Sequence, residues 1–136
     1  DNKIVFTNGC FDIIHAGHIQ YLEEAKSLGD VLILGLNSDQ SVHNLKGKNR
    51  PINNQKDRAL ILAALEAVDY VVIFDQDNPF ELVKAIKPNI LVKGSDYEGK
   101  EVIGSDQADE LVLVKFINGK SSTETIKKIQ QISIWI

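Results

Sequence analysis

The sequence predicts an α/β fold in which a five-stranded parallel sheet is covered by helices on both faces. Short apolar segments of strand length alternate with longer segments whose apolar residues recur at helical spacing. The strand segments are almost continuously apolar, which is typical of parallel strands buried on both faces. These observations indicate a Rossmann-like architecture, and the length of 136 residues suits a single domain over residues 1–136.

The first half of the chain predicts two strands and a long helix. An apolar run predicts a strand over residues 3–7, and apolar residues at helical spacing predict a helix over about 15–28. A Gly-Asp pair ends this helix, and residues 31–36, which carry no polar side chain, predict the second strand. Residues 41–45 favour a short helical turn, and a polar loop follows over 47–54.

The second half continues the alternation. Three strands are predicted over residues 70–74, 90–92 and 111–116. A helix over 55–68 is expected to turn inward an apolar face formed by Leu60, Ile61, Ala64, Leu65 and Val68. A helix over 79–86 is expected with Asn78 as its N-cap and Pro79 at its first position. The last helix is expected to begin at Ser121 or Ser122 and to end at Gln131.

The composition excludes several classes of protein. Apolar residues make up 43% of the chain and charged residues 25%, which is ordinary globular usage, and no apolar run approaches the ~20 residues of a membrane-spanning helix. The net charge of −4 gives no general footprint for nucleic acid. A single cysteine excludes an internal disulfide and suits a reducing cytoplasm. We therefore expect a cytoplasmic protein that binds neither membranes nor nucleic acid.

The two ends of the chain each lead to an expectation, the first about chain length and the second about a partner subunit. The chain has no methionine and begins at Asp1, close to the first predicted strand, so we expect a piece of a longer protein or a trimmed start. The tail is unusually apolar, with Ile132, Ile134, Trp135 and Ile136. We expect it to pack on a partner subunit, with a two-fold dimer favoured; the alternative is that it folds back on its own last helix.

The most informative segment is GCFDIIHAGH over residues 9–18, which lies between the first strand and the first helix. Free backbone N–H groups and the positive end of the helix dipole make such a turn an anion site. His15 and His18 add two imidazoles, and Gly17 allows close approach of a ligand. The alternative is that the two histidines bind zinc, but a zinc site requires three or four protein ligands. The segment therefore predicts a site for a reacting phosphate.

Three other polar loops follow strand ends, where ligands bind in such sheets. One region concentrates cations, namely Lys46, Lys48, Arg50, Lys56 and Arg58. A second offers a cation, a close-approach glycine and a carboxylate for a hydroxyl group, in Lys93, Gly94 and Asp96. A third offers hydroxyls at a helix start, in Ser121, Ser122 and Thr123. For the cations, the alternative is a solvated loop and helix face. For Asp96 it is a turn residue, and for the hydroxyls it is plain helix capping.

Taken together, these segments resemble the D-glycero-β-D-manno-heptose 1-phosphate adenylyltransferases of the HxGH nucleotidyltransferase superfamily. The resemblance extends from Thr7 to Gln131. The segments that carry it are TNGCFDIIHAGH, GLNSDQSV, LKGKNRPIN, DRALILAALEAVDYVVIF, LVKGSDY, EVIGS and SSTETIKKIQQ. In two respects the chain departs from the pattern: Ile126 stands where many members of the superfamily carry Arg, and the segment 106–110 is short for the family.

The resemblance implies a nucleotidyltransferase-type fold and an activity. AMP is transferred from ATP to heptose 1-phosphate, giving ADP-heptose for lipopolysaccharide core or other heptose glycans, with pyrophosphate as the second product. Mg²⁺ is the expected cofactor, held mainly by the ATP phosphates and water, so no protein metal ligand is assigned. In this family the domain is often the C-terminal half of a bifunctional protein with a heptose 7-phosphate kinase, so a fused kinase domain is a further expected partner.

The same resemblance suggests roles for individual residues. His15 and His18 are expected to contact the triphosphate and the α-phosphoryl transition state, and Lys46 the β- and γ-phosphates. Further nucleotide and phosphate contacts are expected from Gly9, Cys10, Phe11, Gly17, Arg50, Arg58, Lys93, Gly94, Asp96, Ser121, Ser122 and Thr123. The sugar phosphate is expected to meet Asp12, Asn37 and Asp39.

Two other functions stay open at this point. The first is a cytidylyltransferase for glycerol 3-phosphate or a similar alcohol phosphate, which would use the same chemistry with another base. The second is a non-catalytic nucleotide-binding regulatory module, against which the intact His15, His18 and Lys46 argue.

Overall fold

The computed structural model describes residues 2–115 and 122–134. The strands are β1 (Ile4–Gly9), β2 (Val31–Asn37), β3 (Tyr70–Phe74), β4 (Ile90–Gly94) and β5 (Glu110–Val114). The helices are α1 (Ala16–Ser27), α2 (Asp39–Lys46), α3 (Gln55–Ala63), α4 (Phe80–Ile86) and α5 (Ser122–Ile134). Short 3-10 turns lie at Ser95–Tyr97 and Ser105–Gln107.

All strand pairs in the sheet are parallel, in the order β3-β2-β1-β4-β5. The chain moves outward from β1 through β2 to β3 and then crosses to β4 on the other side of β1. This reversal makes the carboxyl ends of β1 and β4 the topological switch point, where such sheets open a crevice for ligands. The predicted five-stranded parallel α/β fold is confirmed.

Hydrophobic clusters lie on both faces of the sheet, because successive strand side chains point in opposite directions. Val5 and Leu34 belong to the cluster that also contains Leu22 of α1 and Leu62 of α3. Phe6 belongs to the opposite cluster, with residues that include Val83 of α4. The apolar strand segments are therefore explained by burial on both faces.

A buried hydrogen-bond group fixes α1 over the switch point. The Thr7 hydroxyl of β1 lies 2.8 Å from the Tyr21 hydroxyl of α1. It also donates to the Val92 carbonyl of β4 at 2.9 Å. Because one group links the helix to both central strands, the start of α1 is held at the crevice.

The inward face of α3 differs from the prediction. Leu62 is fully buried, whereas Leu60 is 71% exposed and Ile61 40% exposed. Arg58, four residues before Leu62, also faces inward and is fully buried. Because Arg58 faces inward, the buried face of α3 is not the purely apolar face that the periodicity predicts. The helix also ends at Ala63, although Leu65 and Val68 pack on the core as predicted.

Other differences at element ends are small. The predicted turn over 41–45 is the complete helix α2, in which the Ser38 hydroxyl accepts a hydrogen bond from the Ser41 backbone N–H. Helix α4 begins one residue later than predicted, at Phe80, so its N-cap residue is Pro79 and not Asn78; the Asn78 side chain accepts a hydrogen bond from the Phe80 backbone N–H at 3.0 Å. Strand β4 extends to Gly94.

Some predicted features lie outside the described residues. They include Ser121, Phe116 and the side chains of Ser122 and of the apolar tail. The expected dimer through that tail therefore stays a prediction. Within the described ranges, none of the helices combines the length and apolar character that crossing a bilayer requires.

Candidate active site

The two predicted histidines cap the start of α1 with their side chains. His15 is the N-cap residue, and its Nδ1 atom accepts a hydrogen bond from the Gly17 backbone N–H at 3.1 Å. The His18 Nδ1 atom accepts one from the His15 backbone N–H at 3.2 Å. This reciprocal pair is a capping box built from histidines, and the ring centroids lie 4.0 Å apart.

These hydrogen bonds define the protonation of the rings. Because Nδ1 accepts a hydrogen bond in both residues, each neutral imidazole carries its own hydrogen on Nε2. Burial, with a smaller contribution from the neighbouring His15, lowers the pKa of His18 from 6.5 to about 4. At neutral pH His18 is therefore an uncharged imidazole that can donate from Nε2.

The loop before the helix packs against the His18 ring. The Phe11 and His18 ring centroids lie 5.3 Å apart. Phe11 has a φ of 46°, in the left-handed region that side chains other than glycine seldom occupy. Gly9 makes room for the Phe11 ring, since a Cβ atom on Gly9 would lie 2.9 Å from Phe11 Cε2. This unusual backbone shapes the turn before α1, where Phe11 both lines the cavity and packs in the hydrophobic core.

A cavity of about 930 Å³ opens in front of these residues, at the switch point between β1 and β4. It brings together predicted residues from five separate segments of the chain. Those lining it are Gly9, Cys10, Phe11, Asp12, His15, His18, Asn37, Lys46, Arg50, Lys93, Asp96 and Thr123. The cavity has the size and position of a ligand site in a doubly wound sheet.

Cations enter the cavity from different sides of the sheet. Lys46 comes from the end of α2 and Arg50 from the following loop, whereas Lys93 comes from β4. The Lys93 ammonium lies 4.9 Å from the centroid of the Tyr97 ring. Burial lowers the pKa of Lys93, and the negative charge of Asp96 opposes this shift. The arrangement suits a ligand with several negative charges.

Asp12 is occupied by internal hydrogen bonds. It is 2% exposed, and its carboxylate accepts from Arg50 Nε at 2.9 Å and from the backbone N–H groups of Ile52 at 2.7 Å and Asn53 at 2.8 Å. Burial alone would raise the pKa of Asp12, but these hydrogen bonds lower it below its ordinary value. Asp12 lines the cavity, yet its carboxylate holds the loop around Arg50.

Two predicted site residues are not brought to the cavity. Arg58 is fully buried behind it, and its Nη2 atom donates to Asp39 Oδ1 at 2.8 Å. Neither residue lines the cavity, so the expected contacts of Arg58 with phosphate and of Asp39 with sugar phosphate do not fit this geometry. Sequence placed Arg58 among nearby cations, but helix α3 turns its side chain inward. Asn37 lines the cavity and donates to Ser41 Oγ at 2.9 Å.

The remaining predicted residues have varied positions. Burial raises the pKa of the Cys10 thiol, which disfavours the thiolate that a nucleophile needs. Gly17 lies within α1 and Gly94 ends β4, and neither lines the cavity. Thr123, in the first turn of α5, does line it.

Sequence reasoning missed part of the lining. The residues not predicted are Asn8, Leu45, Asp77, Asn78, Pro79, Ser95, Tyr97, Glu101, Val102, Ile103 and Lys115. Several of them follow β3, whose loop was interpreted only as the start of a helix. The available signal was their position after a strand end, which was applied to the other loops but not to this one.

Comparisons with known proteins show the family to which the chain belongs. A family model described as cytidylyltransferase-like matches residues 6–133. Bifunctional protein HldE of Aliarcobacter butzleri is 71% identical over 129 residues, which is 95% of this chain and 27% of that protein. Bifunctional protein HldE of Wolinella succinogenes is 65% identical over 128 residues, or 94% of this chain and 27% of the relative. The chain thus spans only a minor part of both relatives.

Solved structures show the same fold. The lipopolysaccharide core biosynthesis protein of Thermoplasma volcanium GSS1 matches with a TM-score of 0.65 and 26% identity, over 98% of this chain and 90% of that one. Pantoate-beta-alanine ligase of Francisella tularensis matches with a TM-score of 0.54 and 16% identity, over 96% and 72%, and supports the fold alone. Because the family model spans the histidine turn and the loops around the cavity, the chain belongs to the cytidylyltransferase-like family of nucleotidyltransferases.

Proposed function

We propose that this chain transfers AMP from ATP to D-glycero-β-D-manno-heptose 1-phosphate, giving ADP-heptose and pyrophosphate. The observation that carries the chemistry is the pair of histidines at the start of α1, facing a cavity that is also lined by cations, among them Lys46, Arg50 and Lys93. The choice of acceptor is supported by the sequence resemblance and by HldE relatives at 71% and 65% identity. The name of the Thermoplasma volcanium protein, lipopolysaccharide core biosynthesis protein, points the same way.

The reaction itself is a displacement at the α-phosphorus of ATP. An oxygen of the sugar phosphate attacks this atom and forms the new P–O bond, while the bond to the β-phosphate oxygen breaks and pyrophosphate leaves with the electron pair. The attacking phosphate is already anionic near neutral pH, so no strong general base is needed. Catalysis then depends on positioning two anions and on stabilising the charge that develops.

The residues of the cavity supply those two contributions. His18, neutral and protonated on Nε2, donates a hydrogen bond to an oxygen of the α-phosphate, and His15 is set in the same tautomer. Lys46, Arg50 and Lys93 neutralise the phosphates. Asp96 and Thr123, whose side chains carry oxygen atoms, suit hydroxyl and phosphate groups of the substrates.

Mg²⁺ belongs to the proposal as a companion of ATP. When bound, it neutralises charge on the phosphates and assists the departure of pyrophosphate. Among residues 2–115 and 122–134, no group of three or more His, Cys, Asp and Glu side chains is arranged to hold a metal ion. We propose that the ATP phosphates and water are the main ligands of Mg²⁺.

A sugar kinase in the same polypeptide would supply the acceptor. The matched relatives are named bifunctional, and this chain spans 27% of each, so they have ample length for a second activity. We propose that the second activity phosphorylates heptose 7-phosphate at its anomeric oxygen with ATP as donor, and that hydrolysis of the 7-phosphate ester by a separate phosphatase then leaves the 1-phosphate used here.

A pyrophosphate-release assay tests the proposal. ATP and CTP are each combined with heptose 1-phosphate and with glycerol 3-phosphate, in the presence of Mg²⁺. We expect the highest kcat/KM for ATP with heptose 1-phosphate. Equal or better turnover of CTP with glycerol 3-phosphate would support the cytidylyltransferase alternative. Nucleotide binding without pyrophosphate release from any pair would support a regulatory module.

A further inference from the structure

We propose that Arg58 is a positioning residue, which sets the distance between the histidine turn and the cation-bearing loop without touching substrate. The inference rests on the proposed adenylyl transfer for its kinetic part. Arg58 is fully buried and lies outside the cavity lining, so a direct contact with phosphate does not explain it.

The guanidinium of Arg58 joins three segments of the chain through four hydrogen bonds. Its Nη1 atom donates to the carbonyls of Cys10 and Asn37, each at 2.8 Å. Its Nε atom donates to the Asn53 carbonyl at 2.9 Å, and Nη2 donates to Asp39. Cys10 follows β1 and Asn37 ends β2. One side chain therefore ties the ends of two adjacent strands to the loop and helix that follow them.

Asp12 completes a closed path of hydrogen bonds with Arg58. The Asn53 backbone donates its N–H to Asp12 at 2.8 Å and accepts at its carbonyl from Arg58. Arg58 in turn holds the Cys10 carbonyl, two residues before Asp12. The remaining oxygen of Asp12 accepts from Arg50, which lines the cavity. Through this path the position of Arg50 depends on Arg58.

The chemistry of the side chain favours positioning over stability as its purpose. Burying a guanidinium carries a large desolvation penalty, and a buried ion pair gains little stability over apolar packing. The carboxylate partner Asp39 is itself 43% exposed, and the other three acceptors are neutral carbonyls. A planar fork with donors in fixed directions can hold three segments at once, which a lysine ammonium cannot do in the same geometry.

The test compares Arg58→Lys with Asp69→Asn as a matched control. Asp69 also ties segments together, accepting from the Leu32 backbone at 2.8 Å and from Lys26 at 2.5 Å, but it lies at the amino ends of β2 and β3, away from the strand ends that form the cavity. Asp69→Asn is expected to lower stability without changing kcat. If Arg58→Lys fails to fold, Asp39→Ala is used instead. Asp39 is partly exposed, and its substitution removes only one of the four hydrogen bonds that Arg58 donates.

Two measurements are made on each variant. Hydrogen exchange needs no substrate, and we expect the Ile52 and Asn53 amides of Arg58→Lys to exchange at least about tenfold faster, with the central strands unchanged. In pyrophosphate release, we expect kcat per ATP-binding site to fall about 10–100-fold, while the Kd for ATP stays within about threefold of the unsubstituted chain.

Three results would overturn the positioning role of Arg58. They are unchanged exchange at Ile52 and Asn53, uniformly faster exchange throughout the chain, and an unchanged kcat per binding site. If the unsubstituted chain releases no pyrophosphate, the proposed function fails, and the exchange result alone then decides the role of Arg58.

Discussion

His18 is held by one nitrogen of its ring and, in the proposed reaction, acts through the other. Its Nδ1 atom accepts from the His15 backbone N–H, which fixes the ring and leaves the hydrogen on Nε2. Burial keeps the ring neutral by lowering its pKa to about 4. A neutral donor that is already oriented needs no reorganisation when charge develops on the phosphate.

Replacing His18 by alanine should therefore remove catalysis while the fold remains. Loss of one preorganised donor typically costs about 10²–10³ in kcat. Steady-state pyrophosphate release, with circular dichroism as the check on folding, measures the effect. Near-normal turnover of a folded His18→Ala variant would show that the histidines serve only as helix caps.

The depressed pKa of His18 also predicts how stability depends on pH. The unfolded chain takes up a proton on this residue near the ordinary pKa of 6.5, whereas the folded chain resists it down to about 4. His18 therefore stabilises the fold above pH 6.5, and this contribution is lost as the pH falls toward 4, by at most about 1.4 kcal/mol per pH unit.

His18→Gln isolates this contribution, because glutamine at the same position can keep the capping hydrogen bond without titrating. Urea unfolding at pH 7, 6 and 5 should show a shallower loss of stability for His18→Gln than for the unsubstituted chain. Identical slopes for the two proteins would mean that His18 is not held neutral by the fold.

At the scale of elements, strands were easier to predict than helix faces. The strand over 70–74 is found as predicted, because continuous apolar runs between breakers have few other interpretations. The face of α3 was predicted wrongly at Leu60, Ile61 and Ala64. An analysis of apolar periodicity treats arginine as a polar residue that faces solvent. The buried face of α3 could therefore have been predicted only by knowing which groups Arg58 binds.

The corrected face of α3 makes a prediction about stability. Leu62 is fully buried and Leu60 is 71% exposed, so the two leucines form a matched pair on one helix. Leu62→Ala should lower the free energy of unfolding by about 2–5 kcal/mol, and Leu60→Ala should change it by no more than about 0.5 kcal/mol. Chemical denaturation measures both, and equal losses would restore the face that periodicity predicted.

For the whole molecule, the order of the strands creates the site. The chain reverses direction of travel across the sheet between β3 and β4, and this opens the crevice at the ends of β1 and β4. Sequence placed the histidine turn, Lys46, Arg50 and Lys93 on loops after strands, and the structure gathers them around one cavity.

Other parts of the site could not be predicted from local sequence. Glu101 and Ile103 reach the cavity only through the three-dimensional path of their loops. The internal role of Asp12 likewise depends on the loop that donates Arg50, Ile52 and Asn53 to it. Among the described residues, those that act through partners distant in sequence can be assigned only from the structure, whereas short motifs at strand ends can be recognised from sequence.

The central claim is that the chain moves the AMP part of ATP onto a sugar phosphate. The most direct measurement incubates the chain with heptose 1-phosphate and ATP labelled either in the α-phosphate or in the γ-phosphate, and separates the products. We expect the α-label to appear in ADP-heptose and the γ-label in pyrophosphate. A γ-label on the sugar, or an α-label that stays in unreacted ATP, would contradict it.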